Sequence, residues 1–156
     1  MLIRKKSLSW RMRGNELAYV KSVLKLGFKA GADGAFSTKF EQEFAKTHGS
    51  KYGIAFNSGT STLHSILLAL GCGPGDEVIV PNLTFAATIN AVLYVGATPI
   101  LVDVDPLTFC MNINECWRYA TDKLKAVIPV HLYGDSVHMD ELVSFCNKKN
   151  IFLIEE

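Results

Sequence analysis

The sequence contains no long hydrophobic run. Nowhere in its 156 residues is there a stretch approaching the roughly 18 apolar residues that a membrane-spanning helix needs. The basic residues Arg4, Lys5 and Lys6 are followed by a polar segment, residues 7–11, where a secretory signal would carry an apolar core. We therefore expect a cytoplasmic protein with no membrane partner.

Cysteine is also scarce and widely spread. The four cysteines are Cys72, Cys110, Cys116 and Cys146, and no two of them form a C-x-x-C pair. This spacing indicates neither a disulfide framework nor a zinc site. We expect reduced, partly buried thiols and no metal.

A charge excess of either sign is missing as well. Sixteen Lys and Arg residues against fifteen Asp and Glu give a net charge of +1, too small for a nucleic-acid-binding surface. The hydrophobic share of 49% is that of a soluble globular protein with a sizeable core. The short basic stretch at the start is interpreted as a solvated arm.

What the sequence does contain is an alternation of apolar strand patterns and amphipathic helix patterns. Helices are predicted over residues 15–26, 37–48, 62–70, 83–94, 113–120 and 139–149. Strands are predicted over residues 52–56, 77–81, 99–104, 125–130 and 151–154. Buried strands separated by helices indicate a parallel sheet covered on both faces, with ligands at the carboxyl ends of its strands. A glycine-rich stretch, residues 27–37, is either a ligand-approaching loop or a plain linker.

The turn between strand 52–56 and the next helix is rich in small hydroxyl residues, Ser58-Gly59-Thr60-Ser61. A helix N-terminus offers unpaired N–H groups at the positive end of its dipole, which suits a phosphate group. The ordinary alternative is that Ser58 or Thr60 only caps a core helix. Other polar residues follow the later strands, namely residues 81–85, 103–105, 131–134, Glu155 and Glu156.

The order of motifs along the chain resembles the DegT/DnrJ/StrS family of pyridoxal-phosphate sugar aminotransferases. The resemblance covers nearly the whole chain. It is carried by R-G-N-E-L (13–17), F-E-Q-E-F-A (40–45), N-S-G-T-S-T-L-H (57–64), G-P-G-D-E-V-I-V-P (73–81), T-F-A-A-T-I-N-A-V-L-Y-V-G-A-T-P (84–99), V-D-V-D-P (102–106), P-V-H-L-Y-G (129–134) and L-I-E-E (153–156).

The resemblance implies a cofactor, pyridoxal 5'-phosphate, and residues that bind it. Gly59, Thr60 and Ser61 would hold its phosphate, and Phe85 would lie flat on its pyridine ring, unless Phe85 is instead a core residue. Glu156 would pair with the ring nitrogen and keep it protonated. The family usually carries Asp at this last position, so either the ring shifts or Glu155 contributes.

The fold implied is the three-layer α/β/α large domain of type I, aspartate-aminotransferase-like enzymes, truncated after its fifth strand. Residues 1–36 would form an arm, a helix and the glycine-rich loop, and residues 37–156 the first portion of the cofactor-binding domain. The lysine that forms the Schiff base in this family would lie beyond Glu156. No catalytic residue is therefore assigned within the chain.

The activity implied for the parent protein is transfer of an amino group, commonly from glutamate, to a keto group on a nucleotide-linked sugar. Such sugars belong to cell-surface polysaccharide or secondary-metabolite biosynthesis, and family members are homodimers. Two alternatives stay open. One is a pyridoxal-phosphate sugar dehydratase of the same family, and the other is a non-catalytic, cofactor-binding or ligand-binding remnant.

The implied strand order adds a structural expectation. Strand 52–56 would not be hydrogen-bonded to the others, which would form a separate four-stranded block from residues 78–80, 99–104, 126–130 and 151–155. Unpaired backbone groups and an uncovered sheet edge make such a chain aggregation-prone or partly molten when alone.

Overall fold

The computed structural model describes residues 14–27 and 34–156. The chain divides into two compact units, residues 1–55 and 56–156. The boundary predicted after residue 36 falls inside a helix, and the assignment of residues 37–156 to one larger domain stays a prediction. Across the described ranges, no helix has the length and apolar character that a membrane span requires.

The described residues of the first unit form two helices, α1 (Glu16–Leu26) and α2 (Ala35–Thr47). Helix α1 ends at Gly27, whose φ of 58° is a left-handed conformation that glycine adopts readily. Helix α2 begins at Ala35 with Gly34 as its N-cap, so the predicted start at Ser37 was wrong. Most of the glycine-rich stretch, residues 28–33, lies outside the described residues.

The segment 52–56 is not the buried strand that its apolar composition predicted. It has no regular secondary structure and no ladder partner in the described part of the chain, and Tyr52 and Ile54 are each 73% exposed. The Ala55 N–H anchors the segment by donating to the Glu41 carboxylate on α2 at 2.8 Å. The Glu41 side chain therefore binds this segment. An apolar run indicates side chains that can be buried, but it does not indicate whether a neighbouring strand is present to pair with it.

The second unit is built on a parallel sheet of four strands. They are β1 (Glu77–Pro81), β2 (Thr98–Val102), β3 (Leu124–Val127) and β4 (Phe152–Leu153), in the spatial order β2-β1-β3-β4. All three pairings are parallel. The predicted four-stranded block without segment 52–56 is confirmed.

Backbone pairing continues past the ends of β3 and β4. The Ile154 N–H donates to the Val127 carbonyl, and the Glu156 N–H donates to the Pro129 carbonyl at 3.1 Å. The Glu156 carbonyl in turn accepts from the His131 N–H at 3.0 Å. The backbone of Glu156 is thus fixed at the carboxyl edge of the sheet.

Helices cover both faces of this sheet. They are α3 (Gly59–Ala69), α4 (Ala86–Tyr94), α5 (Ile113–Tyr119) and α6 (Met139–Lys149), with a 3₁₀ turn at Leu132–Gly134. One core lies between α3, α4 and the face that carries Val78 and Val80; the other lies between α5, α6 and the face that carries Ile79. Since successive strand residues point to opposite faces, the continuous apolar run of β1 fills both cores. The expected three-layer α/β/α architecture is confirmed.

The topology also places a crevice. From β1 the chain crosses by α4 to β2 on one side, and it then returns by α5 to β3 on the other side of β1. Ligands of open α/β sheets bind outside the carboxyl ends of the strands where the direction reverses in this way. Here that position lies beyond β1 and β3, beside the residues that follow each of them.

Candidate cofactor site

The turn at residues 58–61 starts helix α3. The Ser58 hydroxyl accepts a hydrogen bond from the Ser61 N–H at 3.2 Å, and it lies 2.9 Å from the Ser61 hydroxyl. Ser58 is therefore the N-cap, as the ordinary alternative predicted. Leu63 and Leu67 on the same helix are buried in the core, which fixes the direction of the helix.

Capping leaves part of the helix N-terminus available. Within the described part of the chain, the N–H groups of Gly59 and Thr60 have no hydrogen-bond partner. The Ser61 N–H is already used by Ser58, so Ser61 offers its hydroxyl to a phosphate, and the binding of phosphate by Gly59, Thr60 and Ser61 stays a prediction. Two N–H groups and the hydroxyls of Thr60 and Ser61 remain as donors at the positive end of the helix dipole.

Phe85 precedes helix α4 as its N-cap residue, and its side chain is 77% exposed. The alternative that Phe85 belongs to the core is therefore wrong. An aromatic ring left in solvent at a sheet edge offers a flat apolar face to a ligand. Its role as a stacking partner remains a prediction.

Glu156 is held by helix α4. The hydroxyl of Thr88 donates to Glu156 Oε2 at 2.7 Å, and the hydroxyl of Thr84 lies 2.8 Å from that of Thr88. Thr88 is one helical turn beyond the residues around Phe85, so these contacts bring the carboxylate and the aromatic residue to the same end of α4. The structure thereby links two of the predicted site residues.

Glu155 points elsewhere. Its carboxylate lies 3.2 Å from His131 Nε2, and the Nδ1 atom of the same ring accepts from the Val137 N–H at 3.4 Å. Adjacent residues of an extended strand project in opposite directions, so Glu155 and Glu156 cannot share one partner. The idea that Glu155 substitutes for Glu156 finds no support in these contacts.

The residue patterns did not predict a role for Thr88 or a contact between Thr84 and Thr88. Thr84 was predicted only as one of the polar residues 81–85 that follow a strand, whereas its hydroxyl lies against Thr88. The available signal was the i, i+4 spacing of two threonines at the start of a helix that is otherwise apolar. Their link to Glu156 joins residues far apart in the sequence, which spacing alone does not reveal.

The cysteines lie apart from these residues, in the cores. All four are buried and free, as expected. Burial raises the pKa of Cys116 to about 12, with a smaller contribution from the neighbouring Cys146. Burial also raises the pKa of Cys146 to about 11. Neither thiol is a nucleophile at neutral pH.

Comparison with known proteins identifies the chain. Residues 11–156 match the DegT/DnrJ/EryC1/StrS aminotransferase family. The chain belongs to this family. GDP-perosamine synthase of Caulobacter vibrioides is 44% identical over 146 residues, covering 94% of this chain and 39% of that protein. GDP-perosamine synthase of Escherichia coli O157:H7 is 41% identical over 145 residues, covering 93% of this chain and 40% of that protein.

A solved structure agrees with the fold. NtdA from Bacillus subtilis, solved with bound cofactor PMP, superposes with a TM-score of 0.83 at 36% identity. The match covers 91% of this chain and 33% of NtdA. The chain thus spans about two fifths of the length of the GDP-perosamine synthases it matches.

Proposed function

We propose that the protein is a pyridoxal-phosphate-dependent aminotransferase that transfers an amino group, with glutamate as donor, to a keto group on a nucleotide-linked sugar. Membership of an aminotransferase family and the similarity to GDP-perosamine synthases support a nucleotide-sugar substrate. A homodimer acting in the cytoplasm, in polysaccharide or secondary-metabolite sugar biosynthesis, is part of the same proposal.

The main support for this proposal is that residues at the carboxyl edge of the sheet offer the contacts that such a cofactor needs. At the start of α3, two N–H groups that have no partner in the described part of the chain, with hydroxyls beside them, suit a phosphate. The exposed ring of Phe85 and the carboxylate of Glu156, joined through α4, suit an aromatic heterocycle with a basic nitrogen. Each side chain offers a contact that a different part of the cofactor needs.

Each residue has a distinct task in this proposal. The N–H groups of Gly59 and Thr60, with the Thr60 and Ser61 hydroxyls, anchor the phosphate and so fix the cofactor's position. Phe85 covers one face of the ring and excludes water from it. Glu156 holds a proton on the ring nitrogen by accepting its hydrogen bond. When bound, the cofactor supplies an electron-poor ring that accepts the electrons left when a C–H bond breaks beside the amino group.

The proposal is tested with the full-length protein, the cofactor, ¹⁵N-labelled glutamate and a GDP-linked keto sugar. We expect the mass of the product to show one labelled nitrogen in the sugar, with 2-oxoglutarate formed in equal amount. A sugar product that has lost oxygen and carries no label would indicate the dehydratase alternative. No change in the sugar, with cofactor bound, would favour a non-catalytic protein.

A further inference from the structure

Thr88 is unusual among the described residues because it is the one polar side chain that is buried, with no exposed surface. Its neighbours on α4, Ala87, Ala91 and Val92, are buried apolar residues of the core. A buried hydroxyl without partners is costly, and valine would fill the same space without that cost. The hydroxyl is therefore expected to have a task.

The direction of its hydrogen bonds follows from a proton count. An ionised carboxylate only accepts, so the single hydroxyl proton of Thr88 is donated to Glu156 Oε2. Thr88 can then only accept from Thr84, whose hydroxyl must be the donor of that pair. The result is a chain of hydrogen bonds that runs from Thr84 through Thr88 to Glu156.

This chain holds one carboxylate oxygen and leaves the other available. Glu156 Oε2 is bound to Thr88, whereas Oε1 has no partner within residues 14–27 and 34–156. The backbone of Glu156 is fixed by its pairing with Pro129 and His131. Backbone and one carboxylate oxygen are thus both held, which restricts where Oε1 can lie.

We propose that Thr88 is a positioning residue, which orients the Glu156 carboxylate so that Oε1 meets the ring nitrogen of the cofactor. This inference rests on the proposed function. It also accounts for a glutamate where the resemblance leads one to expect aspartate. Glutamate has one more rotatable bond and loses more conformational entropy when it is fixed, so a second anchor at its end matters more.

The competing explanation is that the Thr88–Glu156 bond only ties α4 to the edge of the sheet. Two ligands separate these explanations. Pyridoxamine phosphate carries the ring nitrogen, and its 1-deaza analogue has carbon at that position but the same phosphate and nearly the same shape. Neither compound forms a Schiff base with a lysine, so the measurement reports non-covalent contacts alone.

The experiment measures the dissociation constants of both ligands by calorimetry for the full-length protein and for its Thr88→Val and Thr88→Ser variants. The wild type should bind pyridoxamine phosphate more tightly than the deaza analogue. Thr88→Val should weaken binding of pyridoxamine phosphate by about tenfold, because the misplaced Glu156 carboxylate loses its charge-assisted hydrogen bond to the ring nitrogen. The affinity for the analogue, which has no nitrogen at that position, should not change. Thr88→Ser keeps the hydroxyl and should retain the preference.

Two further variants strengthen the test. In a Glu156→Gln background, Thr88→Val should have little additional effect on pyridoxamine phosphate, because both changes act on the same contact. If Thr88→Val does not fold, as judged by circular dichroism, Thr84→Val replaces it. That variant removes the donor to Thr88 and should lower affinity for pyridoxamine phosphate alone, by a smaller factor.

The outcomes are distinct. If Thr88→Val weakened the binding of both ligands equally, its role would be purely structural and the inference would be overturned. No weakening of binding for either ligand would overturn it as well. The same two outcomes apply to Thr84→Val where it serves as the replacement. If the wild type bound pyridoxamine phosphate no more tightly than the analogue, Glu156 would have no role in binding the ring nitrogen, and Thr88 would have no role in positioning Glu156. A wild type that binds neither compound would overturn the proposed function itself.

Discussion

At the scale of single residues, the candidate site depends on polar groups that the fold leaves without partners. Among residues 14–27 and 34–156, the N–H groups of Gly59 and Thr60 have no partner, because Ser58 caps only Ser61. Among the same residues, one carboxylate oxygen of Glu156 is bound by Thr88 and the other has no partner. Each free group lies at a position that backbone hydrogen bonds fix, so binding a ligand requires little further ordering.

Phe85 offers a direct test at this scale. Phe85→Leu keeps apolar volume but removes the flat ring, so binding of pyridoxamine phosphate should weaken by roughly 1 kcal/mol. The far-ultraviolet circular dichroism and melting temperature should not change, because the side chain is 77% exposed. Tyr119→Leu, an exposed aromatic on α5, is the matched control and should leave affinity unaltered. Unchanged affinity in Phe85→Leu would exclude stacking.

The buried thiols predict a pH dependence of stability. The pKa of Cys116 is raised from 9.0 to about 12 in the folded protein, so above pH 9 the unfolded chain loses this proton first. The unfolded state then binds fewer protons than the native state, and the free energy of unfolding must fall as pH rises from about 9 towards 12. Urea unfolding at several pH values measures this slope.

Cys116→Ala is the control for that slope. The substitution lowers stability at every pH by leaving a small cavity, but it should also make the decline above pH 9 shallower. An identical slope in both proteins would show that Cys116 does not contribute to it.

At the scale of elements, most of the fold was predictable because β1, β2, β3 and β4 are short apolar runs separated by turn residues. Strand β1 and helix α6 have the bounds that their patterns predicted. That segment 52–56 is unpaired was predicted from the family resemblance and not from its apolar pattern, because pairing depends on neighbours that such a pattern does not reveal. The link between Thr88 and Glu156 likewise arises only when α4 packs on the sheet.

The resemblance to a known family predicted more of the candidate site than residue patterns did. Patterns alone favoured a helix cap at Ser58, which is present, and gave Phe85 and Glu156 no particular task. Neither the resemblance nor the residue patterns predicted which groups pair with each other, such as the hydrogen bond from the Ser61 N–H to the Ser58 hydroxyl. Such details depend on local geometry within hydrogen-bonding distance, beyond the reach of spacing rules.

A substitution at Gly53 tests how segment 52–56 is held on α2. A Cβ atom at this position would lie 2.5 Å from the backbone carbonyl oxygen of Glu41, closer than packing permits. Gly53→Ala should therefore displace the segment and break the hydrogen bond from the Ala55 N–H to Glu41. Hydrogen exchange of the Ala55 amide should become faster. Gly59→Ala, where a Cβ meets open space, is the control, and faster exchange in both variants would contradict this packing.

At the scale of the whole molecule, the first unit presents much apolar surface. Leu17, Val20 and Leu24 on α1 are 44%, 50% and 76% exposed, and Phe40 and Phe44 on α2 are 57% and 50% exposed. No side chain of α1 is buried. Large apolar patches of this kind indicate contact with another surface or a tendency to aggregate.

We therefore expect the 156-residue chain, expressed alone, to self-associate. Light scattering coupled to size-exclusion chromatography should show species larger than the 17.2 kDa monomer, increasing with concentration. A Val20→Lys, Leu24→Glu double variant should reduce this association by adding charge to the same face. A monodisperse monomer with cooperative unfolding would contradict the expectation and would also overturn the predicted molten character.

In the proposed function, the start of helix α3 holds the phosphate of a pyridoxal-type cofactor. The most direct test is calorimetric titration of the full-length protein with pyridoxamine phosphate, compared with the Thr60→Ala, Ser61→Ala double variant. Ser65→Ala, on the same helix but beyond its first turn, is the matched control. Removing two hydroxyl donors to a charged group should raise the dissociation constant at least tenfold, while the control should match the wild type. Equal dissociation constants in the wild type and the double variant would contradict the claim.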